Sequence, residues 1–278
     1  MLWPAGKSLA VFVNIAYEQW SPDAAPGISP MGNPLPAGIV DTQARSWGRY
    51  GRVGILRLLD VLDRCGLPAT VMASGSFAQD TPDVLRQMVQ QGHEICGHAT
   101  YQNVLPALLT PEEERQMLRE CLEALESASG VRPVGWISPR GTPSPSTAEL
   151  LAEAGCTWFG DCFDTDRGHT VSYPTGQLVH LPLTMEVNDL PMVMKHGASP
   201  SDYLASVKQH VEGHLRYADG TTHLDVTVHA HVGGRPGYAA AFEDALGLLA
   251  DHDEIWIGTR REAAEMILNA QPEGVGSR

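Results

Sequence analysis

Two imidazoles close the stretch His229-Ala-His231-Val-Gly-Gly-Arg235-Pro236, just past a β-branched run and ahead of a glycine turn. Residues 224–230 read Leu-Asp-Val-Thr-Val-His-Ala, an inner strand whose end would open on a crevice, the usual place for chemistry in an α/β protein. In an extended chain His229 and His231 share a face; the competing reading for either is a buried, hydrogen-bonded structural histidine. Other strand exits carry further candidates. Glu18, in Asn14-Ile-Ala-Tyr-Glu-Gln-Trp, could serve as general base for a water, its pKa raised by an apolar enclosure, or could be an exposed loop charge. His98 ends Gly92-His-Glu-Ile-Cys-Gly-His, where Gly97 admits a close neighbour, and His93 reads as a solvated turn residue. Arg140, fixed between Pro139 and Gly141, could bind a substrate carboxylate or carbonyl, clamp a catalytic carboxylate, or lie on the surface. Asp161 is the acid nearest its strand in Gly160-Asp-Cys-Phe-Asp-Thr-Asp166, or one end of a capped turn. A carboxylate base with histidine, whose ordinary pKa near 6.5 serves donor and acceptor alike, is apparatus for general acid–base work on a water.

The elements that must position these groups alternate. Leu9 to Ala16 reads as a strand buried on both faces, Ala69 to Ala73, His93 to Gly97, Val134 to Ile137 and Thr157 to Phe159 as further strands. Between them, helices run from Val53 to Arg64 with Val53, Leu56, Leu59 and Leu62 on the inner stripe, from Pro82 to a stop at Gly92, from Thr110 to Ser129, and from Thr147 to a stop at Gly155. Ser21 to Gly38 is a long Pro, Gly and Ala-rich loop of the kind that covers a site. Trp256 with Ile255 and Ile257 supplies a last core strand. Repeated strand, loop and helix predict a parallel sheet, either open or closed or nearly closed into a distorted (β/α) barrel of about seven strands; the count of strand ends favours the irregular barrel. His196, His210, His214 and His223 read as solvated or structural.

No composition break or repeat divides the chain, so residues 1–278 are expected to form a single domain, large enough to need no staples. With 33 acidic against 19 basic side chains and a formal charge of −14, nucleic acid and anionic membranes are poor partners. Five cysteines without paired spacing predict reduced thiols and a cytoplasmic setting, and neither a signal peptide nor a membrane span is expected.

From about Leu9 to Ile267 the order of motifs resembles the polysaccharide deacetylase (NodB-like) superfamily, and within it the branch of cofactor-independent allantoinase and cyclic-imide hydrolase. The matching pieces are Asn14-x-x-Tyr17-Glu18, Gly92-His-Glu-Ile-x-Gly-His98, Gly135-Trp136-Ile-x-x-Arg140 with Ser144-Pro-Ser-Thr147, Pro182 to Asp189, and His229-Ala-His231-x-x-Gly234-Arg235-Pro236. The resemblance implies a distorted barrel, and an arginine, Arg140, close to the base carboxylate. It places Pro182 to Asp189 beside the substrate, where Glu186, Asn188 and Asp189 could accept from its N–H groups, although Asn188-Asp189 could equally form a tight loop. Tyr17, Trp136, His231 and Arg235 complete the substrate-binding set so implied.

One departure bears on metal chemistry. Metal-dependent members have two adjacent aspartates and two histidines four apart; here stand Glu18-Gln19 and His98 with Gln102, so no resident metal or other cofactor is expected. The reading is a hydrolase acting on a carbon–nitrogen bond of a small amide, ureide or cyclic imide. Glu18 is the base, His229 the acid with His231 its rival, and His98, Arg140 and Asp161 support them. Metal-dependent N-deacetylation of an amino sugar or glycan, and an inactive ligand-binding barrel, are the alternatives. The resemblance further implies a homo-dimer or homo-tetramer.

Overall fold

An unbroken apolar run, interrupted only by Asn14, makes β1 (Leu9–Tyr17) a strand buried at every position. In the computed structural model, which describes residues 2–28, 35–36 and 38–270, it is the centre of a nine-stranded sheet. The other strands are β2 (Thr70–Ala73), β3 (Glu94–Gly97), β4 (Gly135–Trp136), β5 (Trp158–Phe159), β6 (His169–Tyr173), β7 (Gly176–His180), β8 (Thr222–His229) and β9 (Ile255–Gly258). Their order is β6-β7-β5-β4-β3-β2-β1-β8, with β9 on β1. Along one edge of β1, β8 pairs from Leu9↔Thr222 to Ala16↔His229; the other edge is shared, β9 taking Leu9 to Phe12 and β2 taking Asn14 to Tyr17. All pairings are parallel except the hairpin of β6 with β7. The sheet curls into the incomplete barrel expected: among the described residues only the isolated bridges Arg167↔Thr222 and Asn188↔Thr227 lie between its ends.

The expected helices form, with boundaries Gly51–Cys65, Pro82–Gln90, Pro111–Ser129 and Thr147–Glu153. The first is stopped by Gly66 in the left-handed region (φ 64°), and the third opens on a reciprocal capping box of Thr110 and Glu113. The inner stripe of the first, Gly51–Cys65, is corrected: Val53 and Leu56 are exposed, and Ile55, Leu58, Leu59, Val61 and Leu62 face the core. His93 is also corrected, being buried with neither ring nitrogen hydrogen-bonded. The β6–β7 hairpin is an addition, since His169 to Tyr173 is half exposed and carries no continuous apolar signal. Residues 29–34 and 37 of the proline-rich loop, Met1, and 271–278 lie outside the described residues.

Inside the curl the core is partly polar. The fully buried Arg260 guanidinium bonds Asp225 Oδ1 (2.5 Å), the Leu181 carbonyl (2.7 Å) and Asn14 Oδ1 (3.3 Å), and lies between the rings of Phe12 and Trp158. These bonds satisfy charges that burial would otherwise make prohibitive, and they tie the last described helix, Arg260–Asn269, to the floor beneath the strand ends.

Candidate active site

At the carboxyl ends of β1, β3 and β8, three histidines surround one carboxylate. Glu18 follows β1 directly and is buried; its Oε1 lies 3.5 Å from His98 Nε2 and 3.6 Å from His229 Nε2, and its Oε2 lies 3.8 Å from His231 Nδ1. Gln102 donates from Nε2 to Glu18 Oε1 at 2.6 Å, while Oε2 is buried without a partner. Burial alone would raise the Glu18 pKa, as the sequence predicts, but the imidazoles, His229 foremost, outweigh it and hold the group at about 2. The expectation of a raised value is thereby corrected: Glu18 is ionised throughout the working range.

The histidines are held differently. β8 stops at His229, so His231 is on the following turn rather than two places along the strand. The two rings nevertheless meet edge to face, 5.7 Å between centroids. His229 Nδ1 bonds Asp189 Oδ1 at 2.7 Å, and both Asp189 oxygens also accept from the His229 main-chain N–H. Because a carboxylate can only accept, the proton on Nδ1 is fixed and Nε2 is turned toward Glu18. Burial works against protonation of His229, but the charges of Glu18 and Asp189 overcome it and raise its pKa. His231 goes the other way: burial against Trp47 and Trp20, at 4.6 and 5.5 Å, drives it down to about 3 despite Glu18. His98 Nδ1 donates to the Ile137 carbonyl at 2.7 Å, leaving Nε2 unpartnered toward Glu18. The close approach expected at Gly97 is made by Trp136, whose ring occupies the space of a Cβ.

Asp161 is buried near His98 rather than beside Glu18, and both its oxygens accept from the Ser138 N–H (3.0 and 2.8 Å). Burial pushes its pKa up to about 7, with those bonds and the His98 charge holding it back. Arg140 lines a cavity of about 310 Å³ together with Glu18, Trp20, Trp47, Gln102 and His231. It is exposed, its backbone is at φ +59°, and among the described residues it makes no ion pair with Glu18 or Asp161, so the expected clamp on the base is corrected. A non-glycine residue in that region costs roughly 1–2 kcal/mol, a strain seen where a side chain must be aimed.

Other expected substrate contacts are turned elsewhere. Tyr17 is buried, stacked on Phe77 at 3.6 Å with its hydroxyl on Thr81, and Trp136 is buried with Nε1 donating to Ser138. Arg235 donates from Nε to the His231 carbonyl (3.0 Å) and stacks 4.2 Å over Tyr50, fixing the turn. Glu186 is exposed. Asn188 caps the helix Asp189–His196 by accepting from Leu190 N, and Asp189 is committed to His229. Sequence reasoning missed Trp20 and Trp47, whose spacing carries no motif, and the donor role of Gln102.

The amides standing where metal ligands would be in metal-dependent deacetylases do not fit an ion. Gln19 is turned away, its Nε2 donating to Asp80 and its Oε1 accepting from Arg52, and Gln102 presents an N–H to Glu18 where a ligand needs a lone pair. Among the described residues no three His, Cys, Asp or Glu side chains are grouped as a metal site. Nor is any described helix long and apolar enough to cross a membrane.

Comparison with known proteins agrees with this architecture. A family profile described as polysaccharide deacetylase matches residues 53–159. A peptidoglycan deacetylase of Helicobacter pylori is 24% identical over 255 residues, covering 80% of this chain and 86% of that protein. A chitooligosaccharide deacetylase of Sinorhizobium fredii is 31% identical over 153 residues, 54% of this chain and 68% of that protein. Among solved structures, the Puue allantoinase superposes with a TM-score of 0.88 at 25% identity over 98% of this chain and 94% of that one. Family, fold and strand-end site agree: this chain belongs to the polysaccharide deacetylase family and is a hydrolase of non-peptide carbon–nitrogen bonds.

Proposed function

We propose that the chain hydrolyses a small amide, ureide or cyclic imide, with Glu18 activating water and no step carried by a metal. The observation that carries this reading is Glu18 Oε2, a buried carboxylate oxygen with no partner among the described residues, close to an imidazole that Asp189 orients and whose pKa Glu18 and Asp189 together raise. Water between Oε2 and the carbonyl gives its proton to Oε2 as its oxygen bonds carbon, and the Arg140 guanidinium on the cavity wall meets the negative charge developing on the carbonyl oxygen. His229 Nε2–H then protonates the departing nitrogen as the carbon–nitrogen bond breaks, and the proton on Glu18 returns to His229. The transfers support each other: once Glu18 has taken the water's proton, the negative charge that helped hold the proton on His229 is gone, and His229 becomes a stronger acid. A cavity of about 310 Å³ suits a small substrate.

N-deacetylation of an amino sugar is the second reading, and the names of the Helicobacter and Sinorhizobium relatives weigh toward it, whereas the likeness to an allantoinase rests on structure. Assay of allantoin, hydantoin, succinimide, maleimide and an N-acetylated sugar, following ring opening and acetate release, separates the two. Elemental analysis and chelation belong to the same experiment. Ring opening that survives chelation is expected, and Glu18→Gln should lose about 10²-fold or more in turnover. Acetate release alone, lost with one bound ion per chain, selects the deacetylase; full activity of Glu18→Gln overturns the base in either reading.

A further inference from the structure

A second cavity, of about 330 Å³, adjoins the first and shares Glu18, Trp20 and Pro26 with it. Arg45, Arg49 and Arg52 line it. They belong to the helices Thr42–Arg49 and Gly51–Cys65, and Tyr50 between them keeps right-handed helical dihedrals (φ −58°, ψ −22°), so spacings of four and three put the guanidiniums on one side. Asp80 is the acid facing them besides Glu18, and it is committed to Arg52 at 2.6 Å and to Gln19. Among the described residues Arg45 spends only Nε, on the Ala24 carbonyl at 3.4 Å, and feels the exposed Asp23, itself hydrogen-bonded by Ser21. Arg49 makes no hydrogen bond or ion pair among the described residues. In a chain of formal charge −14, the wall beside the Glu18 carboxylate thus carries a local excess of cationic charge.

We infer that this cavity is a carboxylate subsite. The substrate carries an anionic group on the far side of its scissile carbonyl, gripped by Arg49 and Arg45 while the carbonyl is presented to Glu18. The inference rests on the hydrolytic reading above for the position of that carbonyl. Planar guanidiniums suit a carboxylate, a cationic substrate would be repelled, and a neutral one would leave the arginines facing one another uncompensated.

Matched pairs test it: hydantoin against hydantoin-5-acetate, and N-acetylglucosamine against N-acetylmuramate. Binding is measured by calorimetry to the Glu18→Gln protein, so that affinity is read without turnover. At least one carboxylated member should bind about 10-fold or more tightly than its neutral partner, and the advantage should shrink when ionic strength rises from about 0.02 to about 0.3 M. Adding Arg49→Gln should cut the advantage to about 3-fold or less, while the exposed Arg119→Gln, on another helix, should keep it. Equal affinities within both pairs, no binding by any member, or an advantage that survives Arg49→Gln overturns the subsite. Tight binding of a carboxylated member with no hydrolysis by the unmodified protein would instead sink the hydrolytic reading alone.

Discussion

Asp189 gives both of its oxygens to one residue, the main chain and ring of His229, and the acid role proposed for that ring depends on it. Its charge is among the causes that lift the His229 pKa, so Asp189→Asn should lower it. The acid would then lose its proton at lower pH, and the alkaline limb of the turnover profile should move to lower pH with reduced maximal turnover. A limb that stays in place would leave Asp189 with only a packing role. His229→Ala should cost more turnover than His231→Ala, because His231, held at about 3, is neutral and has no proton to spare on Nε2 and Nδ1 together. Much at this scale was legible: Glu18, His98, His229 and His231 converge as their motifs imply. What spacing could not carry was direction. Arg235 and Tyr17 belong to the right motifs and point away from the cavity, and Asp189, read as a substrate contact, became the orienting group because Asn188 turns the chain into a helix there.

At the level of elements, the site is assembled by close backbone approach. A Cβ on Gly54, in the helix Gly51–Cys65, would overlap the Ala230 carbonyl oxygen, and one on Gly234 would overlap the same oxygen and Gly54 itself. This contact presses the helix against the turn that carries His231, and Arg57 adds a hydrogen bond to the Gly234 carbonyl. Gly54→Ala should therefore push the turn outward, costing about 1–3 kcal/mol in denaturant unfolding and lowering turnover by displacing the imidazoles. A variant with wild-type stability and turnover would show that the turn is not held by this contact. Four helices and the inner strands followed from apolar periodicity and caps such as Thr110, whereas Asp189–His196 and Pro200–Tyr217 were not placed from the sequence. The inner stripe of Gly51–Cys65 did not, because the sequence offers Val53 and Leu56 as well as Ile55 and Leu58, and the face that turns inward is the one on which Gly54 meets the Ala230 carbonyl. The β6–β7 hairpin, half exposed, gave composition nothing to report.

For the molecule as a whole, buried histidines link stability to pH. His93 is buried without a hydrogen-bond partner; burial, only partly offset by Asp63, lowers its pKa from 6.5 to about 4. A depressed folded-state pKa means that, as pH falls from 6.5 toward 4, the unfolded chain takes up a proton the native state refuses, so stability is lost over that window. His93→Leu should lose less, by about 2–3 kcal/mol at the acid end, when unfolding is followed at pH 7 and pH 4. An unchanged difference between the two pH values would show that His93 does not carry this linkage. The curled sheet was legible in the alternation of strands and helices, but its polar floor was not, since Asn14, Asp225 and Arg260 lie too far apart in sequence to form a motif. The pairing of β1 has a consequence for synthesis. As the chain leaves the ribosome, residues 9–17 emerge long before their partners, because one edge of that strand pairs with 222–229 and half of the other with 255–258. Until synthesis has passed those segments most of its backbone donors have no native acceptor, so productive folding of the centre waits on distant sequence, and so does the placing of the Glu18 carboxylate just after it.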